Sequence, residues 1–215
     1  MSKYAALLLA FLFVCFSGCG GGSGGGSQSL SISIESTRFF PKTLNISTGD
    51  RVTWINVDQN PHQVVSGVLL ATPNPVIRNP ISIRPDNTFD PEVIEVNLGD
   101  TVRWRNDRAQ PFTMDVVDDA SVTVASLVFN TGQVIGYSSF PAAGVYRYQQ
   151  RNNPLFRGIA FVYGTPTPNG LFESVVLFNG GTFTRQFNAP GTYTFYDLNQ
   201  SDPKKSFMTG TIVVQ

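Results

Sequence analysis

The chain has 215 residues, of which 41% are hydrophobic and only 14% are charged, and its 15 Lys and Arg balance its 15 Asp and Glu. This composition excludes a disordered chain, a collagen and a strongly basic nucleic-acid-binding protein, because those classes need low hydrophobicity, a glycine period or an excess of positive charge. The 17 Phe residues favour β-structure.

The N-terminus has the pattern of a bacterial lipoprotein signal peptide, which we predict over residues 1–18. Lys3 supplies the positive charge, and the apolar run from Ala5 to Phe16 is too short for a bilayer core, which takes about 20 helical residues. Phe16-Ser17-Gly18-Cys19 resembles a lipobox, although it lacks the usual aliphatic residue three places before the cysteine. Acylation of Cys19 is the expectation, and an ordinary signal peptide cut elsewhere is the alternative.

Residues 19–27 are rich in Gly and Ser, which is typical of a flexible tether. We therefore expect an extracytoplasmic protein, lipid-anchored to a bacterial membrane on its periplasmic or cell-surface side. Cys15 would leave with the signal peptide and Cys19 would become a thioether. The folded part would then carry no thiol for a disulfide or a metal bond.

From Gln28 onward, short runs of alternating apolar and polar residues between turn residues predict an all-β sandwich architecture. The first half repeats at an offset of 50. The matched residues are Phe39, Pro41, Gly49, Asp50, Val52, Trp54, Asn56 and Pro61, which recur as Phe89, Pro91, Gly99, Asp100, Val102, Trp104, Asn106 and Pro111. In the second half, Phe140, Ala142, Gly144, Tyr146 and Tyr148 recur at an offset of 47 as Phe187, Ala189, Gly191, Tyr193 and Phe195. Both tryptophans lie in strand patterns and are expected in the core.

The repeats follow the order front, front, back, back, so two sandwiches can be assembled from them. Connections that do not cross favour a nested arrangement over an interlaced one. Residues 74–165 would form an inner domain, inserted between residues 28–73 and 166–215 of an outer domain. Pro-rich stretches at both junctions are typical of sites that tolerate insertions.

The segment from Phe40-Pro41 through Gly49-Asp50 and Trp54 to His62 resembles the front half of a cupredoxin of the plastocyanin and amicyanin type. Phe187 and Pro190-Gly191-Thr192-Tyr193 resemble its back half. The resemblance implies two cupredoxin-like Greek-key β-sandwiches, one inserted into a loop of the other. It also implies where copper ligands would stand: two His, one Cys and an axial Met.

In the inner domain, the run from Tyr146 to Gly158 fits the family's ligand spacing without a gap. The resemblance puts Gln150 at the Cys position, Asn153 at the second His position and Phe156 at the Met position. Phe112 stands where the first His is expected. We therefore interpret these four as degenerate ligand positions, with Phe112 and Phe156 filling the space of the ion.

The outer domain keeps His62, the only histidine, and Met208, but Asp197 stands at the Cys position. Blue copper requires a thiolate, so neither domain is expected to form that site. His62, Asp197 and Met208 remain weak candidates for an atypical copper site. The competing interpretation is an imidazole hydrogen-bonded to Asp197 or Asp58.

No motif for a nucleophile, a phosphate loop or a paired general acid and base is present, so we expect no enzyme. The leading hypothesis is a non-catalytic binding or structural module without a cofactor. Asn153, Pro154 and Leu155 are the candidate partner-binding residues, interpreted as an apolar loop tip. By analogy with cupredoxins, the partner would be a membrane electron-transfer complex, respiratory or photosynthetic, and nucleic acid is not expected. The alternative is copper binding or electron transfer around His62 and Met208.

Overall fold

The computed structural model describes residues 29–138, 140–198, 202 and 206–215. The predicted signal peptide, the acylated Cys19 and the tether lie outside these residues. Within the described part of the chain, no helix has the length and apolar character needed to cross a membrane.

Eighteen strands make up the described chain. The first five are β1 (Ser29–Ile34), β2 (Phe39–Phe40), β3 (Thr43–Ile46), β4 (Arg51–Asn56) and β5 (Val64–Leu70). The next nine are β6 (Ile81–Ile83), β7 (Phe89–Asp90), β8 (Val93–Asn97), β9 (Val102–Asn106), β10 (Phe112–Val117), β11 (Thr123–Phe129), β12 (Val134–Tyr137), β13 (Gly144–Gln150) and β14 (Asn153–Tyr163). The last four are β15 (Thr165–Glu173), β16 (Thr182–Gln186), β17 (Gly191–Asp197) and β18 (Thr209–Val214).

The strands pair only within two groups. The outer group forms sheets of order β16-β4-β1-β2 and β15-β5-β17-β18-β3, and β6 to β14 form sheets of order β12-β9-β6-β7 and β11-β10-β13-β14-β8. Strand for strand, these two orders are the same. The predicted fold class is therefore confirmed: the chain is all-β, with one cupredoxin-like Greek-key sandwich inserted between β5 and β15 of the other.

Alternating burial explains why these segments form half-buried strands. In β4 and β18 every second residue is buried, which directs one face of each strand into a sandwich. Trp54 and Trp104 are fully buried, each in its own core, as expected for both. Each core draws residues from both sheets of one domain, so the two domains have separate hydrophobic cores.

The domains touch through the segment that precedes β18. Phe207 packs edge-on against Phe161 and Tyr163 of β14, with ring centroids 5.5 Å apart in both pairs. Ser206 and Gly164 exchange backbone hydrogen bonds of 2.7 and 3.1 Å. These contacts place Ser206 and Phe207, which precede β18 of the outer domain, against β14 and Gly164.

Candidate functional site

His62 lies at the end of the outer sandwich, in the connection from β4 to β5. Its backbone N–H donates to the carbonyl of Leu177 at 3.0 Å, and the N–H of Leu177 donates back at 2.7 Å. This reciprocal pair fixes the histidine between two loops, and only 5% of its surface is exposed. The imidazole is therefore held in place by backbone contacts as well as by its side-chain partners.

Both ring nitrogens of His62 face carboxylates. Nδ1 lies 2.9 Å from Oδ2 of Asp197, and Nε2 lies 3.2 Å from Oδ2 of Asp58. A carboxylate oxygen only accepts, so hydrogen bonds on both sides require a proton on each nitrogen. The arrangement is an imidazolium between two carboxylates, which we call the Asp58–His62–Asp197 triad.

The pKa shifts of His62 and Asp58 follow from this geometry. Burial lowers the pKa of His62, but the hydrogen bonds and negative charges of Asp197 and Asp58 together raise it above its ordinary value. The pKa of the Asp58 carboxyl is lowered, chiefly by the side-chain hydrogen bond from Asn60, with burial opposing and His62 contributing. Both shifts favour the charged forms of His62 and Asp58.

Met208, the third outer candidate, is buried in the outer hydrophobic core. Its backbone carbonyl accepts from the N–H of Asp197 at 3.1 Å. The structure thus brings His62 and Asp197 together by their side chains, whereas Met208 is joined to Asp197 through the backbone. Among the described residues, no group of three or more His, Cys, Asp or Glu side chains is arranged to hold a metal ion.

These residues do not fit a blue-copper ion. The Cys position of each domain holds a side chain without a thiolate, Asp197 in one and Gln150 in the other. The thiolate is the ligand that sets the bonding and the potential of such an ion. In addition, Nδ1 of the single histidine already contacts Asp197.

The equivalent end of the inner sandwich is filled with aromatic rings. Phe112 and Phe156 are buried with ring centroids 5.2 Å apart. Phe89 packs on both, at 6.1 and 4.7 Å. The guanidinium of Arg108 lies 5.6 Å from the Phe112 centroid and 5.5 Å from that of Phe156. The rings thus have a cation over them, a contact that contributes about 0.5–1 kcal/mol at an exposed site.

Sequence reasoning overlooked Arg108, although the offset of 50 would have found it. Arg108 occupies the position equivalent to Asp58, just as Phe112 occupies that of His62. Its Nη1 donates to Oδ1 of Asn87 at 2.6 Å and to the carbonyl of Arg84 at 3.2 Å. At these equivalent positions, the outer domain has the Asp58 carboxylate beside the imidazolium of His62. The inner domain has the Arg108 guanidinium beside the rings of Phe112 and Phe156.

Asn56 and Asn106, a second equivalent pair that sequence reasoning overlooked, hydrogen-bond to the loops that follow β4 and β9. Nδ2 of Asn56 donates to the carbonyls of Asn60 and Leu177, both at 2.8 Å. In the inner domain, Nδ2 of Asn106 donates to the carbonyls of Gln110 and Asn130 at 2.8 and 3.3 Å. The signal in the sequence was the recurrence of Asn56 as Asn106 in the repeat. A buried side-chain amide needs hydrogen-bond partners, so an Asn repeated within a strand pattern indicates a structural contact.

The remaining inner candidates lie at the hairpin between β13 and β14. Gln150 ends β13, and Asn153 is its partner in the register at the start of β14. Pro154 and Leu155 follow, and the Leu155 side chain is 88% exposed. The residues Asn153 to Leu155 therefore open a strand, and the turn itself is formed by Arg151 and Asn152. Asn153 pairs with Gln150, whereas Pro154 and Leu155 lie at the register shift between Gln149 and Gln150, which differs from the loop tip that we expected.

No family model and no curated protein matches the chain. Among solved structures, it is similar to a purple cupredoxin from Nitrosopumilus maritimus, with 24% identity over 41% of this chain and 99% of that one, and a TM-score of 0.35. It is also similar to a reduced amicyanin variant, with 22% identity over 46% and 98% of the two chains and a TM-score of 0.33. A Cu(I) amicyanin variant gives 22% identity over the same shares, with a TM-score of 0.34. These three solved structures are cupredoxins, and the likeness is one of fold.

Proposed function

We propose that this chain is a non-catalytic binding or structural module of two cupredoxin-like domains that lack the ligands for blue copper. We further propose that it is lipid-anchored through Cys19 on the outer side of a bacterial membrane, as an accessory subunit of a membrane electron-transfer complex. The anchor is suggested by the lipobox-like sequence, and the kind of partner by the sequence resemblance to cupredoxins.

One observation supports the loss of copper binding. At the ligand end of each domain, meaning the end of the sandwich where a cupredoxin would hold its copper ion, side chains of this chain contact one another in the space that the ion would need. Asp58 and Asp197 engage both nitrogens of His62, and Phe112 and Phe156 close the inner end. A copper ion would have to displace a charged hydrogen bond in one domain and buried rings in the other. Each exchange costs binding free energy that an open ligand set does not cost.

A docking role is supported by the exposed side chain of Leu155. The outer domain uses Phe207, close to its own ligand end, to contact the inner domain. At the inner end, Leu155 projects 88% of its surface into solvent beside the exposed Pro154. An apolar side chain of this size gains free energy when a partner covers it.

Copper loading separates this proposal from copper binding at His62 and Met208. The full chain is incubated with Cu(II), desalted and assayed for bound metal and visible absorption, beside His62→Ala. We expect no stoichiometric copper in either protein. One retained copper per chain that disappears in His62→Ala would favour the alternative.

The partner is tested by mild detergent extraction of the native membrane and identification of the proteins that co-purify. Leu155→Asp should weaken the association about tenfold or more, because a carboxylate would be placed in an apolar contact. Val128→Asp is the matched control, since Val128 is an exposed apolar residue on β11 of the same domain. A protein that emerges alone, or an equal loss in both variants, would contradict the proposed docking site.

A further inference from the structure

A cleft lies between the two domains. Its volume is about 430 Å³, within the range of small-molecule sites, which often form at domain boundaries. The outer domain contributes Glu35, Thr37 and Arg38, which connect β1 to β2. The rest of the lining comes from the inner domain: Asp118, Asp119, Val145, Arg147, Arg157, Ile159 and Phe161. We call this space the interdomain cleft.

Two arginines lie side by side on the floor of the interdomain cleft. Arg147 of β13 is opposite Ile159 of β14 in the antiparallel register. Arg157 is two residues from Ile159, so it shares that face and is a diagonal neighbour of Arg147. Two guanidinium groups therefore point to one side of the inner sheet.

Neither of these guanidinium groups is neutralised by a carboxylate of the described residues. Arg147 donates to the hydroxyl of Ser121 at 3.1 Å, and Arg157 has no side-chain partner there. Arg38, also in the cleft, differs because its Nε lies 2.7 Å from Glu35. The floor thus offers the planar donors that match a carboxylate.

The other half of the floor is apolar. Val145 is the register partner of Phe161, and Ile159 lies between Phe161 and Arg157 along β14. All three apolar side chains are partly buried, and all three line the cleft. A ligand with an acidic end and an apolar body would find a matching surface for each.

The carboxylates at the rim of the cleft already have partners. Asp119 is paired with Lys42 of the outer domain at 3.0 Å, and Oδ1 of Asp118 accepts from the N–H of Val122 at 2.8 Å. Glu35 is paired with Arg38. These carboxylates therefore leave Arg147 and Arg157 available to a ligand.

We propose that the interdomain cleft binds a small organic acid, with its carboxylate on Arg147 and Arg157 and its apolar body on Val145, Ile159 and Phe161. The proposed contacts involve none of the candidate copper-ligand residues. Binding to the folded chain raises the thermal unfolding midpoint.

Calorimetric titration of the full chain with 4-phenylbutyrate tests the site, beside its neutral amide and inorganic phosphate. We expect saturable binding of the acid and a loss of about tenfold or more in Arg157→Gln and Arg147→Gln. Arg185→Gln is the matched control, since Arg185 is an exposed residue of β16 outside the cleft. Thermal unfolding of each variant without ligand shows whether it is folded.

Four outcomes would overturn the proposal. They are no saturable binding of 4-phenylbutyrate, equal binding of the amide, tighter binding of phosphate, or unchanged affinity in folded Arg147 and Arg157 variants. Binding that is lost in those two variants and kept in Arg185→Gln would support it.

Discussion

The charge of His62 is part of the stability of the outer domain. The imidazolium lies between Asp58 and Asp197 with little exposure to water. When the proton is lost, one nitrogen turns a lone pair towards a carboxylate oxygen, and the attraction becomes repulsion. Removal of one partner would leave a charge of this partly buried cluster without its counter-ion, which destabilises the folded state.

From the protonation of His62 we predict that the free energy of unfolding falls as the pH rises. The pKa of folded His62 lies above its ordinary value of 6.5. Its stabilising contribution is therefore complete below the ordinary pKa and is lost as the pH rises through the folded pKa. The slope of the unfolding free energy against pH should reach no more than about 1.4 kcal/mol per pH unit. Chemical denaturation at a series of pH values measures it.

His62→Gln is the control for that pH series, because the chain has no other histidine. The variant should be less stable than the unaltered chain at about pH 6 and should lose the decline above it. A decline that persists unchanged in His62→Gln would show that another group is responsible.

At the scale of elements, both sandwiches depend on a glycine in the last strand. A Cβ atom on Gly210 of β18 would lie 2.3 Å from the ring of Phe195. One on Gly158 of β14 would lie 2.2 Å from the ring of Tyr148. Both rings are buried in a core and cannot move aside without disturbing it. The two positions are equivalent in the repeat, so the close approach of backbone to ring is a shared feature of the domains.

Gly158→Ala and Gly210→Ala should each destabilise their own domain by about 1–3 kcal/mol through overpacking. Gly144→Ala is the control, because its Cβ would meet the nearest atom, on Tyr146, at an ordinary 3.7 Å. Thermal unfolding of the three variants makes the comparison. Equal midpoints for all three would contradict the predicted steric conflict.

Strands and the two partners of His62 could be predicted from the sequence, but the cation over the inner rings was not. Alternation located β4 and β18, because a half-buried strand requires it. The resemblance to cupredoxins put His62 and Asp197 at ligand positions although they are 135 residues apart along the chain, a separation at which local periodicity carries no information. The offset of 50 aligns Arg108 with Asp58 in sequence, but it does not say that Arg108 lies over Phe112.

At the scale of the whole molecule, the insertion replaces the turn of a hairpin. Thr165 is the register partner of Leu70, so the ends of the outer domain meet as adjacent antiparallel residues. Lys42 reaches Asp119 at 3.0 Å across the domain boundary, and Phe207 packs on β14. Separate cores indicate independent folding, whereas these contacts indicate that each domain stabilises the other.

Excision tests this arrangement. Joining Leu70 to Thr165 through Asn-Gly should close a two-residue hairpin and leave a folded outer domain. Residues 74–164 should fold as a separate sandwich, because the whole inner core lies within them. Both pieces should unfold cooperatively, at lower midpoints than in the full chain. Two unfolded pieces would show that the sandwiches are not separable.

The central claim is that the chain's own charges have replaced metal ligation at His62. It is tested most directly by NMR of the ring N–H groups of His62 in the full chain, with and without one equivalent of Cu(I), which suits histidine and thioether ligands. We predict two ring N–H signals at about pH 6, unchanged by the metal. Disappearance of the Nδ1 proton signal on addition of Cu(I), together with a shift of its nitrogen, would contradict the account.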